Sequence, residues 1–185
     1  MGAPGGYNGD VDDGRQREGS APQTAGVGTR VPSLGRHGEG WVALQAVLFV
    51  SEAACGLRGP RWPRAAAPLR LAAALVLLAG GLALFSAGSV RLGRLLTPFP
   101  RPLSGGEVRR GGAYGLVRHP LYGGVFLLSF AWALLSSPLT LLPAALTMPF
   151  FELKRRREEA WLREAHPDYE EYRREVPRRF LPFIW

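Results

Sequence analysis

From Leu71 to Val90 the chain runs 20 residues without a charge, and from Leu121 to Phe151 it runs 31. Arginine clusters flank both runs, the pattern of bilayer-spanning helices with basic interfacial ends. The first run predicts one helix, about 69–90, and its Gly80-Gly81 pair and alanines permit close packing against a neighbour. The second is too long for one crossing: at about 1.5 Å per residue it reaches about 46 Å, against a hydrocarbon core of about 30 Å. Ser136-Ser137-Pro138 lies near its middle, where a turn is chemically easy. Two helices are therefore predicted, about 119–136 and 138–165, as a tight hairpin. Pro143 and Pro149 are expected to kink the second helix, whose charged end from Glu152 to Ala165 continues into water.

Trp41–Leu57 is a shorter apolar segment, interrupted by Gln45, Ser51 and Glu52. It predicts a helix over about 41–58, with Glu52 facing other helices or an interface because a carboxylate is costly in lipid. Residues 1–40 hold 11 glycines and almost no large apolar residue. Such a segment cannot offset its chain entropy and is expected to be a disordered tail. It has none of the basic start, apolar stretch and small-residue site of a secretory signal. The fold class expected is all-α and integral to a membrane: about four transmembrane helices within 41–185, including a C-terminal helical hairpin, with a cytoplasmic helical tail.

Charge adds orientation. The 23 Lys and Arg against 15 Asp and Glu give a net charge of +8. The cations cluster in 91–118, with six arginines, and in 154–179, with Lys154 and eight arginines. Four crossings put both stretches on one side, expected to be cytoplasmic. Arg58, Arg61, Arg64 and Arg70 fall on the other side and weaken that rule. Bilayer flanks account for the clusters, so nucleic acid is not an expected partner. A single cysteine, Cys55, and three scattered histidines leave no disulfide framework and no metal site.

Two segments are unlike ordinary flanks. The first, Gly111-Gly112-Ala113-Tyr114-Gly115-Leu116-Val117-Arg118-His119-Pro120-Leu121-Tyr122-Gly123-Gly124, brings glycines, two tyrosines, an arginine and a histidine to the mouth of the third helix. Pro120 suits a first helical turn, and the free N–H groups there would suit an anionic group. The second runs through Glu158-Glu159, His166-Pro167-Asp168-Tyr169, Tyr172 and Val176-Pro177. Lys154 with Glu158, and Arg155 with Glu159, can pair at i, i+4. Tyr169 and Tyr172 offer aromatic surface for a purine ring.

Plainer readings exist beside these. Arg118-His119 can be an interfacial anchor and Tyr114 and Tyr122 an aromatic belt. Glu158-Glu159 can be a solvated helix face, and Lys154–Arg157 lipid headgroup contacts. Cys55 reads as a small buried apolar residue, and His166 before Pro167 reads as the end of a helix.

The Gly-x-Tyr-x-x-x-Arg-His-Pro-x-Tyr-x-Gly string, followed after a hydrophobic hairpin by Glu-Glu-x-x-Leu, Tyr-x-x-Tyr and Val-Pro, resembles the isoprenylcysteine carboxyl methyltransferase family, whose architecture phospholipid N-methyltransferases share. The resemblance covers residues 105–185 closely and the two earlier helices loosely. It implies S-adenosylmethionine bound at the cytoplasmic face, between the Arg-His-Pro turn and the C-terminal segment. Tyr114, His119, Pro120, Leu121 and Tyr122 would contact the cofactor. Val108, Arg109, Arg110 and Gly111 would line its adenosine side. Glu158, with Glu159 beside it, would hold the ribose hydroxyls or the amino group. The family commonly places an arginine four residues before that glutamate to face a substrate carboxylate. Here the position is Lys154, with Arg155 next to it, and Lys lacks the bidentate fork. Arg118, Lys154 and Arg155 are the candidate catalytic residues.

The implied reaction is in-line displacement at the sulfonium methyl by a nucleophile arriving from the lipid side. The acceptor would be lipophilic: a prenylated thioether acid, a phospholipid amine or a hydrophobic thiol. Ala, Arg and Gly richness suggests a GC-rich genome and a bacterial cell membrane. Two other functions remain open at this point. One is an NADPH-dependent, sterol-type membrane reductase, which shares an Arg-His-Pro turn; the other is a non-catalytic membrane lipid-binding protein.

Overall fold

The structure, a computed structural model, describes Gly2, residues 31–101 and residues 108–184. Residues 1 and 3–30 of the expected tail lie outside the described residues. All regular structure among the described residues is helical. Helix α1 is Glu39–Arg58, α2 Ala67–Leu92, α3 the single turn Ala113–Leu116, α4 Pro120–Ser136, α5 Leu141–Ala165 and α6 Tyr169–Glu175. Residues 31–38, grouped with the tail by composition, are tied to the bundle: Trp41 Nε1 donates to the Pro32 carbonyl at 3.3 Å and Arg101 Nη1 to the Arg36 carbonyl at 2.8 Å.

Helices α1 and α2, the latter continued by a 3-10 turn to Leu95, are long and apolar enough to cross a membrane. Their apolar side chains point largely outward, with Val76 72% and Val90 83% exposed. A water-facing monomer rarely shows contiguous apolar surface of this kind.

The 31-residue run turns where Ser-Ser-Pro predicts. Ser137 adopts an extended conformation (φ −149°, ψ 141°), and its hydroxyl accepts from the Leu139 N–H at 3.2 Å. Pro138 opens a short 3-10 turn that leads into α5. Pro143 does not act as a kink, because it occupies the first turn of α5, where N–H groups have no intrahelical acceptor. Only Pro149 lies inside the helix.

The closest packing joins α2 to α4. A Cβ on Gly124 would lie 2.8 Å from the Phe85 backbone nitrogen and 3.0 Å from the Gly81 carbonyl. Two glycines thus let the helix backbones touch. Across the bundle, Glu52 is buried against α4, where Trp132 Nε1 donates to its carbonyl at 3.2 Å, in keeping with the sequence expectation. Cys55 is half-buried rather than buried.

The far end of α4 is capped by α2 and the segment that leads into it. Arg70 Nη1 donates to the Leu134 carbonyl, and Trp62 Nε1 to the Ala133 carbonyl at 2.9 Å. Arg70 lies over the Trp62 ring at 5.8 Å. A cation at a helix C-terminus satisfies carbonyls that have no partner within the helix. Arg70→Ala is expected to cost about 1 kcal/mol, read as a melting temperature lower by about 3 °C in detergent.

Candidate functional site

The segment after Val117 is extended (Val117 φ −144°, ψ 150°), and the C-terminal tail pairs with it. Arg118 N donates to the Arg178 carbonyl at 3.0 Å and His119 N to the Arg179 carbonyl at 2.8 Å. Those two amides are therefore spent on the tail, ahead of the first helical turn that Pro120 opens. The tail ends its pairing on Phe180, which is fully buried beside Phe126 and Phe151. Gly123 makes this possible: a Cβ there would sit 2.0 Å from the Phe180 carbonyl oxygen.

Beneath the tail lies an ion cluster. Glu159, 1% exposed, accepts from Arg118 Nε at 3.0 Å, pairs with Arg155 Nη1 at 2.8 Å, and meets His119 Nε2 at 3.1 Å. Arg118 Nη1 also donates to the Val176 and Pro177 carbonyls at 2.7 and 2.8 Å. Burial alone would raise the Glu159 carboxyl. The His119 hydrogen bond and the charges of His119, Arg155 and Arg118 outweigh burial and hold it well below the ordinary carboxylate range. Glu152, one heptad earlier, accepts from Arg155 Nη2 at 2.7 Å and Arg156 Nε at 2.8 Å. This cluster locks the Arg-His-Pro turn, α5 and the tail together.

Above it opens a cavity of about 550 Å³, a volume in the range of small-molecule and cofactor sites. Its apolar lining includes Phe85, Leu121, Val125 and Phe151, and its polar lining includes Arg109, His119, Glu158 and His166. The His119 ring stacks on Tyr122 (centroids 5.3 Å apart, planes 5° apart). Tyr122 donates its hydroxyl to Glu158 Oε2 at 2.6 Å, and His119 Nδ1 lies 3.7 Å from the same oxygen. Glu158 keeps 25% of its side chain exposed, so its carboxylate is held yet accessible.

Lys154 is 2% exposed. Its Nζ donates to Gln45 Oε1 at 2.6 Å and the Pro98 carbonyl at 3.0 Å, and lies 5.6 Å from the Tyr122 ring centre. It does not make the expected close ion pair with Glu158, because α1 and the 96–101 segment claim its protons. Burial draws it down from 10.5 to about 8, with the negative charge of Glu158 opposing only in part. On the polar side, Tyr172 donates its hydroxyl to the Tyr114 carbonyl at 2.8 Å. Burial pushes both hydroxyls above the ordinary tyrosine value, so both stay neutral.

Of the residues singled out from the sequence, Val108, Arg109, Tyr114, Arg118, His119, Leu121, Tyr122, Lys154 and Glu158 line this one cavity. Five others do not reach it. Pro120 packs on α2, near Gly88. Gly111 gives room to Arg91, which a Cβ would meet at 2.8 Å. Arg110 faces outward to Asp168 and Glu171. Arg155 and Glu159 belong to the ion cluster. Lys154 and Arg155, both buried, are also not headgroup contacts. Tyr169 and Tyr172 line the cavity but are held in an aromatic cluster with Val176, leaving little of the broad purine surface that sequence reasoning expected. His166 ends α5 as predicted, its N–H donating to Leu162 O at 2.8 Å, yet it also lines the cavity.

Sequence reasoning missed Gln45, which fixes Lys154, and the Pro98-Phe99 wall. Gln45 carried a signal in retrospect: it is polar within an apolar helix and precedes Glu52 by seven residues, placing both on one face. No family model matches this chain, and comparison with curated proteins likewise yields no match.

Proposed function

We propose that the chain is an integral membrane methyltransferase that uses S-adenosylmethionine and a lipophilic acceptor. In this reading α1, α2, α4 and the Leu141–Phe151 part of α5 lie in the bilayer, and Glu152 onward lies in the cytoplasm. The outward apolar faces of α1 and α2 support insertion. The cap that Arg70 supplies to α4 gives that cation a structural task, which relieves the conflict with the positive-inside rule.

The observation that carries the reading is the shared cavity. It joins His119, Tyr122, Glu158 and Lys154 with the apolar side chains of Phe85, Leu121, Val125 and Phe151 in one lining. The residues present fit the cofactor. Glu158 offers a fixed carboxylate for hydroxyl or amino hydrogens. Arg109 presents a buried Nε with no hydrogen-bond partner among the described residues, suited to the cofactor's carboxylate. Bound there, S-adenosylmethionine supplies a methyl group already activated by its sulfonium.

The protein then contributes position, dryness and charge balance. Tyr122 and His119 orient Glu158. Phe85, Leu121, Val125 and Phe151 exclude water and receive the acceptor's hydrocarbon. Lys154 adds a hydrogen-bonding nitrogen to the same lining. The test is equilibrium binding of labelled S-adenosylmethionine to protein purified in detergent. His119→Ala and Glu158→Ala are each expected to weaken binding at least tenfold. Unchanged binding in both variants would remove the assignment.

A further inference from the structure

We propose that Lys154 is the base that receives the proton of a lipophilic thiol acceptor, an inference that rests on the methyltransferase reading above. Two hydrogen-bond acceptors, Gln45 Oε1 at 2.6 Å and the Pro98 carbonyl at 3.0 Å, are already fixed around Nζ. A neutral amine spends both of its N–H groups on them and has one lone pair left. Lys154 lines the cavity, so that lone pair serves whatever nucleophile occupies it. Among the described residues no carboxylate lies within 4 Å of Nζ to hold the third proton in place. The wall around it is aromatic, with the Tyr122 and Phe151 ring centres at 5.6 and 5.8 Å.

Of the other titratable groups that line the cavity, Arg118 is engaged by Glu159 and the tail carbonyls. Tyr122 and Tyr172 spend their hydroxyls on Glu158 and the Tyr114 carbonyl, and Tyr169 is a buried neutral phenol. His166 lies at the far end of α5, about 18 Å along the helix from Lys154. From its own helix, Glu158 accepts the Tyr122 hydroxyl. Just before α4, His119 is committed to Glu159. Arg101 and Arg109 of the connecting segment are permanently charged. Tyr114 is a neutral phenol that burial makes a weaker acid than usual. Lys154, drawn down to about 8, is close to an ordinary thiol, about 8.5. Proton transfer between the two is then nearly balanced, the condition under which a base works best.

The step conserves atoms and charge. The thiol proton moves to Nζ while its electron pair stays on sulfur. That sulfur forms a bond to the cofactor's methyl carbon as the carbon–sulfonium bond breaks, and the breaking bond's pair returns to the cofactor's sulfur as a neutral thioether. The proton stays on Nζ, so the positive charge lost from the sulfonium is kept on Lys154, and it passes to solvent when the products leave the cavity.

Two measurements on the full-length protein in detergent test this. The first is transfer of labelled methyl to decanethiol, decanoic acid or decylamine across pH 6 to 9.5. Decanethiol is expected to be the preferred acceptor by at least tenfold, with a rate that rises to a plateau near pH 8. Lys154→Arg, which keeps the charge but cannot take a proton, is expected to lose at least 30-fold at pH 7. The second does not depend on the cofactor or on a variant folding. Carbamoylation of Lys154 by cyanate, followed by mass spectrometry, is expected to show a midpoint near pH 8. A midpoint near 10.5, a preference for decanoic acid or decylamine, or full thiol activity in Lys154→Arg would overturn the base. Cofactor binding with no transfer to decanethiol would overturn the thiol assignment alone. Failure of the unaltered protein to bind the cofactor would overturn the methyltransferase reading and this inference with it.

Discussion

Glu159→Ala is expected to destabilise the protein by about 3–5 kcal/mol and to abolish cofactor binding, although Glu159 does not line the cavity. Its carboxylate is the shared anion for Arg118, Arg155 and His119. Removing it strands buried cations, which costs more than the lost attraction itself. It also frees the Arg118 side chain that holds the Val176 and Pro177 carbonyls, and so loosens the tail over the site. The same group sets the acid limit of the fold. Its folded carboxyl lies well below the ordinary value of 4.5, so the unfolded chain binds the extra proton as pH falls. The stabilisation is therefore complete above pH 4.5 and is lost progressively below it. Thermal unfolding in detergent is expected to show a melting temperature that drops below pH 4.5 in the unaltered protein and a flatter profile in Glu159→Gln.

The second large effect is expected at Gly123→Ala. A single added methyl would stand 2.0 Å from a backbone carbonyl at Phe180, and backbone cannot rotate away as a side chain can. Overpacking of this kind typically costs about 1–3 kcal/mol, and here the strain is relieved most easily by expelling the tail. Trypsin is then expected to cut at Arg178 and Arg179 much faster than in the unaltered protein, with cofactor affinity falling in parallel. Gly80→Ala is the matched control. Its added Cβ would meet only the Leu127 side chain, at an ordinary 3.5 Å, so stability and cleavage are expected to stay unchanged.

The main helices were legible because each is a run of apolar residues closed by charge, glycine or proline. The pattern placed them at 41–58, 69–90, 119–136 and 138–165, and the structure has 39–58, 67–92, 120–136 and 141–165. The small shift at Glu39 arises because a left-handed Gly38 (φ 86°) starts the helix with an acidic first turn, a local feature hidden in a polar, glycine-rich stretch. The cavity's polar residues were legible as a group because the Arg-His-Pro and Glu-Glu strings are chemically dense. Their division of labour was not. Glu158 and Glu159 are adjacent and identical, and only the fold decides that one faces the cavity while the other anchors Arg118, Arg155 and His119. Nor does local pattern foretell that a coil segment ending in Phe180 will pair with the backbone of Arg118 and His119. That contact depends on chain distance rather than on periodicity.

The account stands on one physical claim, that the cavity between the Arg-His-Pro turn and α5 holds a methyl donor. Ultraviolet crosslinking of radiolabelled S-adenosylmethionine to the purified protein, with peptide mapping, tests it most directly. The account predicts label in the segments 108–122 and 154–172, displaced by unlabelled cofactor and unaffected by NADPH. Label confined to other segments, or label that NADPH displaces and S-adenosylmethionine does not, would contradict it.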